Sequence, residues 1–107
     1  RPKDFVPARA ADRITIDADA VVGELRIRRV AAGDRFAPFG MPKGTKLVSD
    51  YLTDRHRSVL EKQAAAVVCD ERGIVWLVGE TVDRRVAVHR FTQTILDIRL
   101  LTPDREA

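Results

Sequence analysis

The sequence is poor in cysteine and histidine and has no long apolar run. Its single cysteine, Cys69, excludes a scaffold held by disulfides, and an unpaired thiol fits a reducing compartment, so we expect a cytoplasmic protein. No apolar stretch approaches the ~20 residues of a membrane-spanning helix, and no signal peptide is recognisable. One cysteine and two distant histidines, His56 and His89, do not supply the closely spaced ligands of a zinc site, so no metal is expected.

Catalytic patterns are also missing. No Gly-x-Ser-x-Gly elbow occurs in the sequence. The acidic pairs within residues 17–19 and 70–71 fall at expected turns, where aspartate is favoured because its side chain bonds to the nearby backbone. A small independent enzyme using Asp34 or Asp50 would need a base, a nucleophile and an orienting group close together, and the sequence does not group them. We therefore assign no catalytic residue.

The apolar pattern predicts a mostly β domain. Its expected strands cover residues 13–17, 25–28, 66–69 and 74–78, a region around Val86 and Val88, and residues 96–100. A helical stripe runs from Leu47 towards Asp54 with Thr45 as its N-cap, and Ser58 and Glu61 have the spacing of a capping box. The expected fold class is α+β, with sandwich-like sheets of five or six strands and one or two short helices. Residues 1–12 are predicted to be a linker or arm before a single domain over residues 13–107.

Residues 31–46 contain three glycines and two prolines, which predicts a long loop without regular structure. Three residues are expected to shape its backbone: Gly33, Gly40 and Gly44. Asp34 is expected to form a turn or a salt bridge, since a carboxylate repels phosphate. Three apolar residues are expected to hold the loop against the domain: Phe36, Phe39 and Met41.

Positive charge is concentrated in one segment. The net charge of the chain is +3, and residues 24–46 carry six cations against two anions, which leaves the remainder at −1. The six cations are Arg26, Arg28, Arg29, Arg35, Lys43 and Lys46. Arginine outnumbers lysine by 15 to 4, and guanidinium favours bidentate contact with phosphate. The cluster predicts a polyanion site, although a solvated charged face or genomic composition would also account for it.

A weaker phosphate signal lies in residues 40–46, Gly-Met-Pro-Lys-Gly-Thr-Lys. This is not a Walker A motif, because its glycines are too close, Thr-Lys reverses the required order and Pro42 removes a backbone donor. Gly44, Lys43, Lys46 and a following helix N-terminus could still hold one backbone phosphate. The alternative is that the glycines only permit a turn, and the sequence leaves both open.

The segment Gly33-Asp34-Arg35-Phe36-Ala37-Pro38-Phe39-Gly40-Met41, followed by Lys46-Leu47-Val48-Ser49-Asp50-Tyr51-Leu52, resembles the C-terminal domain of bacterial tRNA(Ile)-lysidine synthetases. Gly73-Ile74-Val75-Trp76-Leu77-Val78-Gly79 and Asp83-Arg84-Arg85 continue the resemblance in the same order. The segment Ser58-x-x-Glu61-Lys62 resembles Bacteroidetes-type members. It departs from the common form, which has a Pro and an Arg in this region. Any RNA contact that this arginine makes in the family is therefore expected here from Arg57, its nearest substitute.

The resemblance implies a β-sandwich-type domain, shared with part of a phenylalanyl-tRNA synthetase subunit, that binds the tRNA(Ile) acceptor stem. It also implies a parent enzyme whose N-terminal domain uses ATP and Mg to join lysine to the wobble cytidine of the CAU anticodon. The ATP signature of that domain, Ser-Gly-Gly-x-Asp-Ser, is absent from this sequence, so no cofactor is expected in this chain. The alternative role is a structural one, in which Phe36, Phe39 and Met41 pack on the catalytic domain without contacting RNA. The oligomeric state stays open.

Overall fold

The computed structural model describes the backbone of residues 9–10 and 12–101, and the side chains of residues 12–101. This part of the chain forms antiparallel sheets and two short helices, which confirms the expected fold class. The strands are β1 (Arg9–Ala10), β2 (Arg13–Asp17), β3 (Arg26–Arg29), β4 (Arg35–Phe36), β5 (Lys46–Leu47), β6 (Ala66–Cys69), β7 (Ile74–Leu77), β8 (Thr81–Val82) and β9 (Ile95–Arg99). The helices are α1 (Val48–Asp54) and α2 (Val59–Ala64).

A four-stranded sheet, in the order β3-β6-β7-β8, lies between two hydrophobic clusters. On one side, Val68 and Trp76 pack with Ile14 and Ile16 of β2, which belongs to the three-stranded sheet β1-β2-β9. On the other side, the cluster contains residues of β4, α1, β6 and β7: Phe36, Val48, Leu52, Val67, Ile74 and Leu77. All four residues of β7 are buried, as its continuous apolar sequence predicts for a strand covered on both faces.

Helix α2 begins where the sequence predicts. The Ser58 side chain accepts a hydrogen bond from the Glu61 backbone, and the Glu61 carboxylate accepts one from the Ser58 backbone, which completes the capping box. Helix α1 ends at Asp54 as expected, but Leu47 rather than Thr45 is its N-cap and provides no side-chain bond. The prediction for Thr45 was wrong because strand β5 occupies residues 46 and 47 and delays the helix.

Three other expectations need correction. Residues 31–46 are not wholly irregular, since β4 and β5 pair within them as a two-stranded sheet. The strand around Val86 and Val88 is absent, because Asp83 caps a 3-10 helix at Arg84–Val86 instead. The predicted arm over residues 1–12 contains β1, which pairs with β2, while residues 1–8 and 11 lie outside the described residues.

No helix in the described ranges combines the length and apolarity that crossing a membrane requires.

Candidate nucleic-acid interface

Strand β3 carries three arginines at the edge of the four-stranded sheet. Among the described strands it pairs with β6 alone, in the register Arg26 to Cys69 and Arg29 to Ala66, and all four of its residues are exposed. Ile27 is 52% exposed and belongs to neither hydrophobic cluster. An exposed strand edge rich in arginine discourages pairing with another strand and presents cations to solvent.

Arg28 connects β3 to the following turn. Its Nη1 and Nη2 donate to the two carboxylate oxygens of Asp34 at 2.8 and 3.1 Å, and the Ala31 backbone donates to the same carboxylate at 2.8 Å. The hydrogen bonds from Arg28 hold the pKa of Asp34 below its usual value, against a smaller opposing effect of burial. Asp34 therefore forms both the turn and the salt bridge that its sequence position predicts.

Two further arginines hold the β4–β5 segment from different sides. Arg35 on β4 donates to Thr45 through Nε to Oγ1 at 3.0 Å and Nη2 to the carbonyl oxygen at 3.2 Å. Arg84 donates to the carbonyl oxygens of Met41 at 2.5 Å and Gly44 at 3.2 Å. The role of Arg84 is not evident in the sequence, because its partners are carbonyl groups about forty residues away.

Part of the predicted phosphate cradle at residues 40–46 is engaged in internal contacts. The Gly44 carbonyl accepts a hydrogen bond from Arg84, and Thr45 accepts one from Arg35. Lys46 forms an ion pair with Asp54. The glycines at 33, 40 and 44 all have positive φ, between 82° and 100°, a conformation in which glycine is favoured. These observations favour the turn interpretation of the segment over the phosphate cradle.

The seven predicted contact residues fall into two groups. Four are paired with carboxylates: Arg26 with Glu24, Arg28 with Asp34, Lys46 with Asp54 and Arg57 with Glu80. Within residues 12–101, the other three form no ion pair and are exposed: Arg29, Arg35 and Lys43. Ion pairs with nearby carboxylates thus leave three of the seven predicted cations available to bind a phosphate.

Arg57 belongs to a different environment from the β3 arginines. Its Nε donates to Glu80 at 2.7 Å, and Arg55 lies 3.4 Å from the other oxygen of that largely buried carboxylate. His56 lies just after the end of helix α1, has φ of 60°, and its backbone N–H donates to the Thr53 carbonyl. The Arg57 guanidinium therefore already has a carboxylate partner, and an RNA contact by Arg57 stays a prediction.

The apolar loop residues are not a common interface. Phe36 is 2% exposed and packs edge to face on Tyr51, with ring centroids 5.5 Å apart. Phe39 is about half exposed and Met41 is partly buried. The expectation that all three could contact another domain was therefore wrong for Phe36, because its ring fills this domain's own core.

The sequence interpretation also missed an exposed aromatic at residues 89–92. The Phe91 ring is 72% exposed, and the Arg90 guanidinium carbon lies 4.9 Å from its centroid. The adjacent Arg-Phe pair is a signal that the sequence does contain, but it lies outside the segment that carries the excess charge.

No group of three or more His, Cys, Asp or Glu side chains in the described part of the chain is arranged to hold a metal ion.

Comparison with known proteins identifies relatives of one kind. The chain is 38% identical to a tRNA(Ile)-lysidine synthase of Bacteroides thetaiotaomicron over 98 residues, 92% of this chain and 23% of the relative. It is 38% identical to the enzyme of Parabacteroides distasonis over 80% of this chain, and 32% identical to that of Caldanaerobacter subterraneus over 77%. The chain thus spans about a fifth of the length of these relatives, and the matches fall in their C-terminal part.

A solved structure has the same fold. The crystal structure of a TilS C-terminal domain superimposes with a TM-score of 0.66 and 22% identity, over 95% of this chain and 78% of that one. No family model matches the sequence. Because the sequence matches and the fold point to the same region of the same enzyme, the chain belongs to the family of tRNA(Ile)-lysidine synthase C-terminal domains.

Proposed function

We propose that this domain binds the acceptor stem of tRNA(Ile) for a tRNA(Ile)-lysidine synthase. The observation that carries the proposal is a group of exposed cations on the edge strand β3 and the β4–β5 segment that have no carboxylate partner in residues 12–101: Arg29, Arg35 and Lys43. An A-form stem hides its base edges in a deep, narrow groove, so a protein recognises it mainly through phosphates, 2′-hydroxyls and shape. Exposed guanidinium and ammonium groups match that requirement.

The Arg28–Asp34 pair gives this surface a defined shape. It ties β3 to the turn that precedes β4, and the Asp34 carbonyl accepts the Val48 backbone N–H at 2.9 Å, which also connects the turn to α1. Arg29 and Arg35 each follow one member of the pair directly in the chain. Backbone contacts of this kind fix an RNA duplex in position and do not read its sequence.

The catalytic work belongs to another part of the proposed parent enzyme. We place ATP, Mg and lysine attachment in an N-terminal catalytic domain of a cytoplasmic ligase, because this chain lacks the Ser-Gly-Gly-x-Asp-Ser signature. This chain would then contribute substrate recognition and no catalytic group.

The proposal is tested by titrating the 107-residue chain with a hairpin that contains the paired acceptor stem. The triple variant Arg29→Gln/Arg35→Gln/Lys43→Gln is expected to bind at least about tenfold more weakly, since three phosphate contacts are removed. Arg99→Gln is the matched control, because Arg99 is an exposed cation on β9 in the other sheet and is expected to leave the affinity unchanged. Equal affinities for the triple variant and the control would reject the proposal.

A second candidate function is docking on the catalytic domain through α2. This helix buries none of its residues and exposes Val59 and Leu60 by 68% and 76%. A groove of about 340 Å³ between α2 and residues 30–32 includes Val59 in its lining. The occupant would be the N-terminal part of the same enzyme, since the relatives are several times longer than this chain. A Val59→Ser/Leu60→Ser variant that binds RNA normally but lowers lysidine formation by the complete enzyme would support this role, and unchanged formation would exclude it.

A further inference from the structure

Phe91 presents an aromatic ring to solvent without contributing to either hydrophobic cluster. Its ring is 72% exposed, and the Arg90 guanidinium lies over it at 4.9 Å in a cation–π contact. The neighbouring residues at positions 89, 90 and 92–94 are polar, so the ring is not the centre of an apolar patch of the kind that anchors protein interfaces.

Hydrogen bonds order the loop that carries this ring. The His89 backbone N–H donates to Thr92 Oγ1 at 3.0 Å, and the Thr92 backbone N–H donates to the His89 carbonyl at 3.0 Å. The Phe91 backbone donates to Nδ1 of His89 at 3.1 Å, and Thr92 itself is buried. These three hydrogen bonds order the backbone that carries the ring, so less conformational entropy is lost when a flat ligand stacks on it.

Charges around the loop disfavour a phosphate as the ligand. Asp17 Oδ2 lies 3.2 Å from Nε2 of His89, and Asp19 Oδ2 accepts hydrogen bonds from the backbone of Gln93 and Thr94. These carboxylates would repel a phosphate group, whereas the uncharged face of a nucleobase can stack on the ring and the guanidinium.

We propose that Phe91 and Arg90 form a stacking platform for one unpaired base at the single-stranded 3′ end of the bound RNA. The inference rests on the proposed binding of an acceptor stem, and adds a contact to the unpaired nucleotides that continue that stem. Asp19 contacts the loop and lies ten residues before Arg29, the cation of β3 without an ion pair among the described residues. Ten residues span at most about 35 Å even when fully extended, which limits the separation that the RNA must bridge.

The test compares two RNA hairpins that share one paired stem. One is blunt, and the other carries a four-nucleotide unpaired 3′ tail with 2-aminopurine at its first position. We expect the tail to tighten binding by the 107-residue chain about tenfold and to quench the 2-aminopurine fluorescence, as one stacked base should. Phe91→Ala is expected to abolish both effects while the blunt stem keeps its affinity within about twofold. Phe91→Trp should keep both effects, and Phe91→Leu, which is apolar without a ring, should lose them.

The outcomes separate this inference from the function on which it rests. If the blunt stem binds but the tail adds nothing, or if the tail effect survives in Phe91→Ala, the stacking platform is wrong and stem binding stands. If neither hairpin binds, the proposed function itself fails. If Phe91→Ala binds both hairpins like the parent chain but lowers lysidine formation by the complete enzyme, the ring contacts protein and the inference is overturned.

Discussion

Arg28 and Asp34 form a bidentate salt bridge, in which Nη1 donates to Oδ2 at 2.8 Å and Nη2 donates to Oδ1 at 3.1 Å. The pair joins the edge strand β3 to the turn before β4, and so it sets the position of the exposed Arg29 and Arg35 on either side. One of the predicted RNA-binding arginines therefore orders the surface on which the others are displayed.

Loss of this pair should loosen the turn. We expect Asp34→Ala to lower the free energy of unfolding by about 1–2 kcal/mol, because it removes acceptors for both the Ala31 backbone and the Arg28 guanidinium. Asp34→Asn should lose less stability, since the amide oxygen of asparagine can still accept the hydrogen bond from the Ala31 backbone. Urea unfolding of both variants measures the difference, and an Asp34→Ala variant as stable as the parent chain would show that the pair has no structural role.

Asp70 and Arg85 make a second and more buried pair. Burial alone would raise the pKa of Asp70, but the Arg85 guanidinium at 2.6 and 3.0 Å and the backbone N–H groups of Val22 and Arg72 together hold it well below its usual value. We expect Asp70→Asn to cost about 2–3 kcal/mol of stability at neutral pH, because it leaves Arg85 without its partner.

The pH dependence of stability follows from the same carboxylate. Since the folded-state pKa of Asp70 is lower than its unfolded-state value near 4, its stabilisation is complete above about pH 5 and falls as the pH drops towards the folded pKa. The Asp70→Asn variant should therefore lose less stability than the parent chain when the pH is lowered from 6 to 3. Asp97→Asn is the control, because its pair with Arg13 is exposed to solvent and is expected to contribute little to stability. Identical acid dependence of the parent chain and Asp70→Asn would contradict the assignment.

The end of α1 offers a stabilising substitution. His56 lies in the left-handed region with φ of 60°, where a Cβ is unfavourable and glycine is preferred. His56→Gly should raise the unfolding free energy by about 0.5–1 kcal/mol. The converse control is Gly44→Ala, at φ of 82° with no atom within 4 Å of the added Cβ, which should cost about 1 kcal/mol from backbone conformation alone. Thermal denaturation measures both, and a destabilised His56→Gly would show that the imidazole has a role the structure does not reveal.

The strands with the strongest pattern were predictable from sequence. A continuous apolar run predicted β7, and alternation of polar and apolar residues predicted β2 and β9. The spacing of Ser58 and Glu61 predicted the start of α2. The short β4–β5 pair was missed because a segment dense in glycine and proline carries no periodicity. Its geometry depends on Arg35 and on the distant Arg84, and contacts of that kind leave no local signal.

The candidate site was predictable in part. Charge counting located the cationic segment, but it could not distinguish Arg29, which has no ion pair among the described residues, from Lys46, which is neutralised by Asp54. That distinction depends on which acids the fold brings near each cation. The exposure of Phe91 was not predicted, because tertiary packing decides whether an aromatic ring is buried or exposed.

The salt dependence of stem binding tests the central claim most directly. About five phosphate contacts from the cationic segment would give a slope near −4 for the logarithm of the association constant against that of the salt concentration. The three cations without carboxylate partners in the described structure predict a slope of about −3. For the Arg29→Gln/Arg35→Gln/Lys43→Gln variant the slope should approach zero, while Arg99→Gln keeps the parent value. A flat salt response of the parent chain, or the same slope in the parent and the triple variant, would contradict the account.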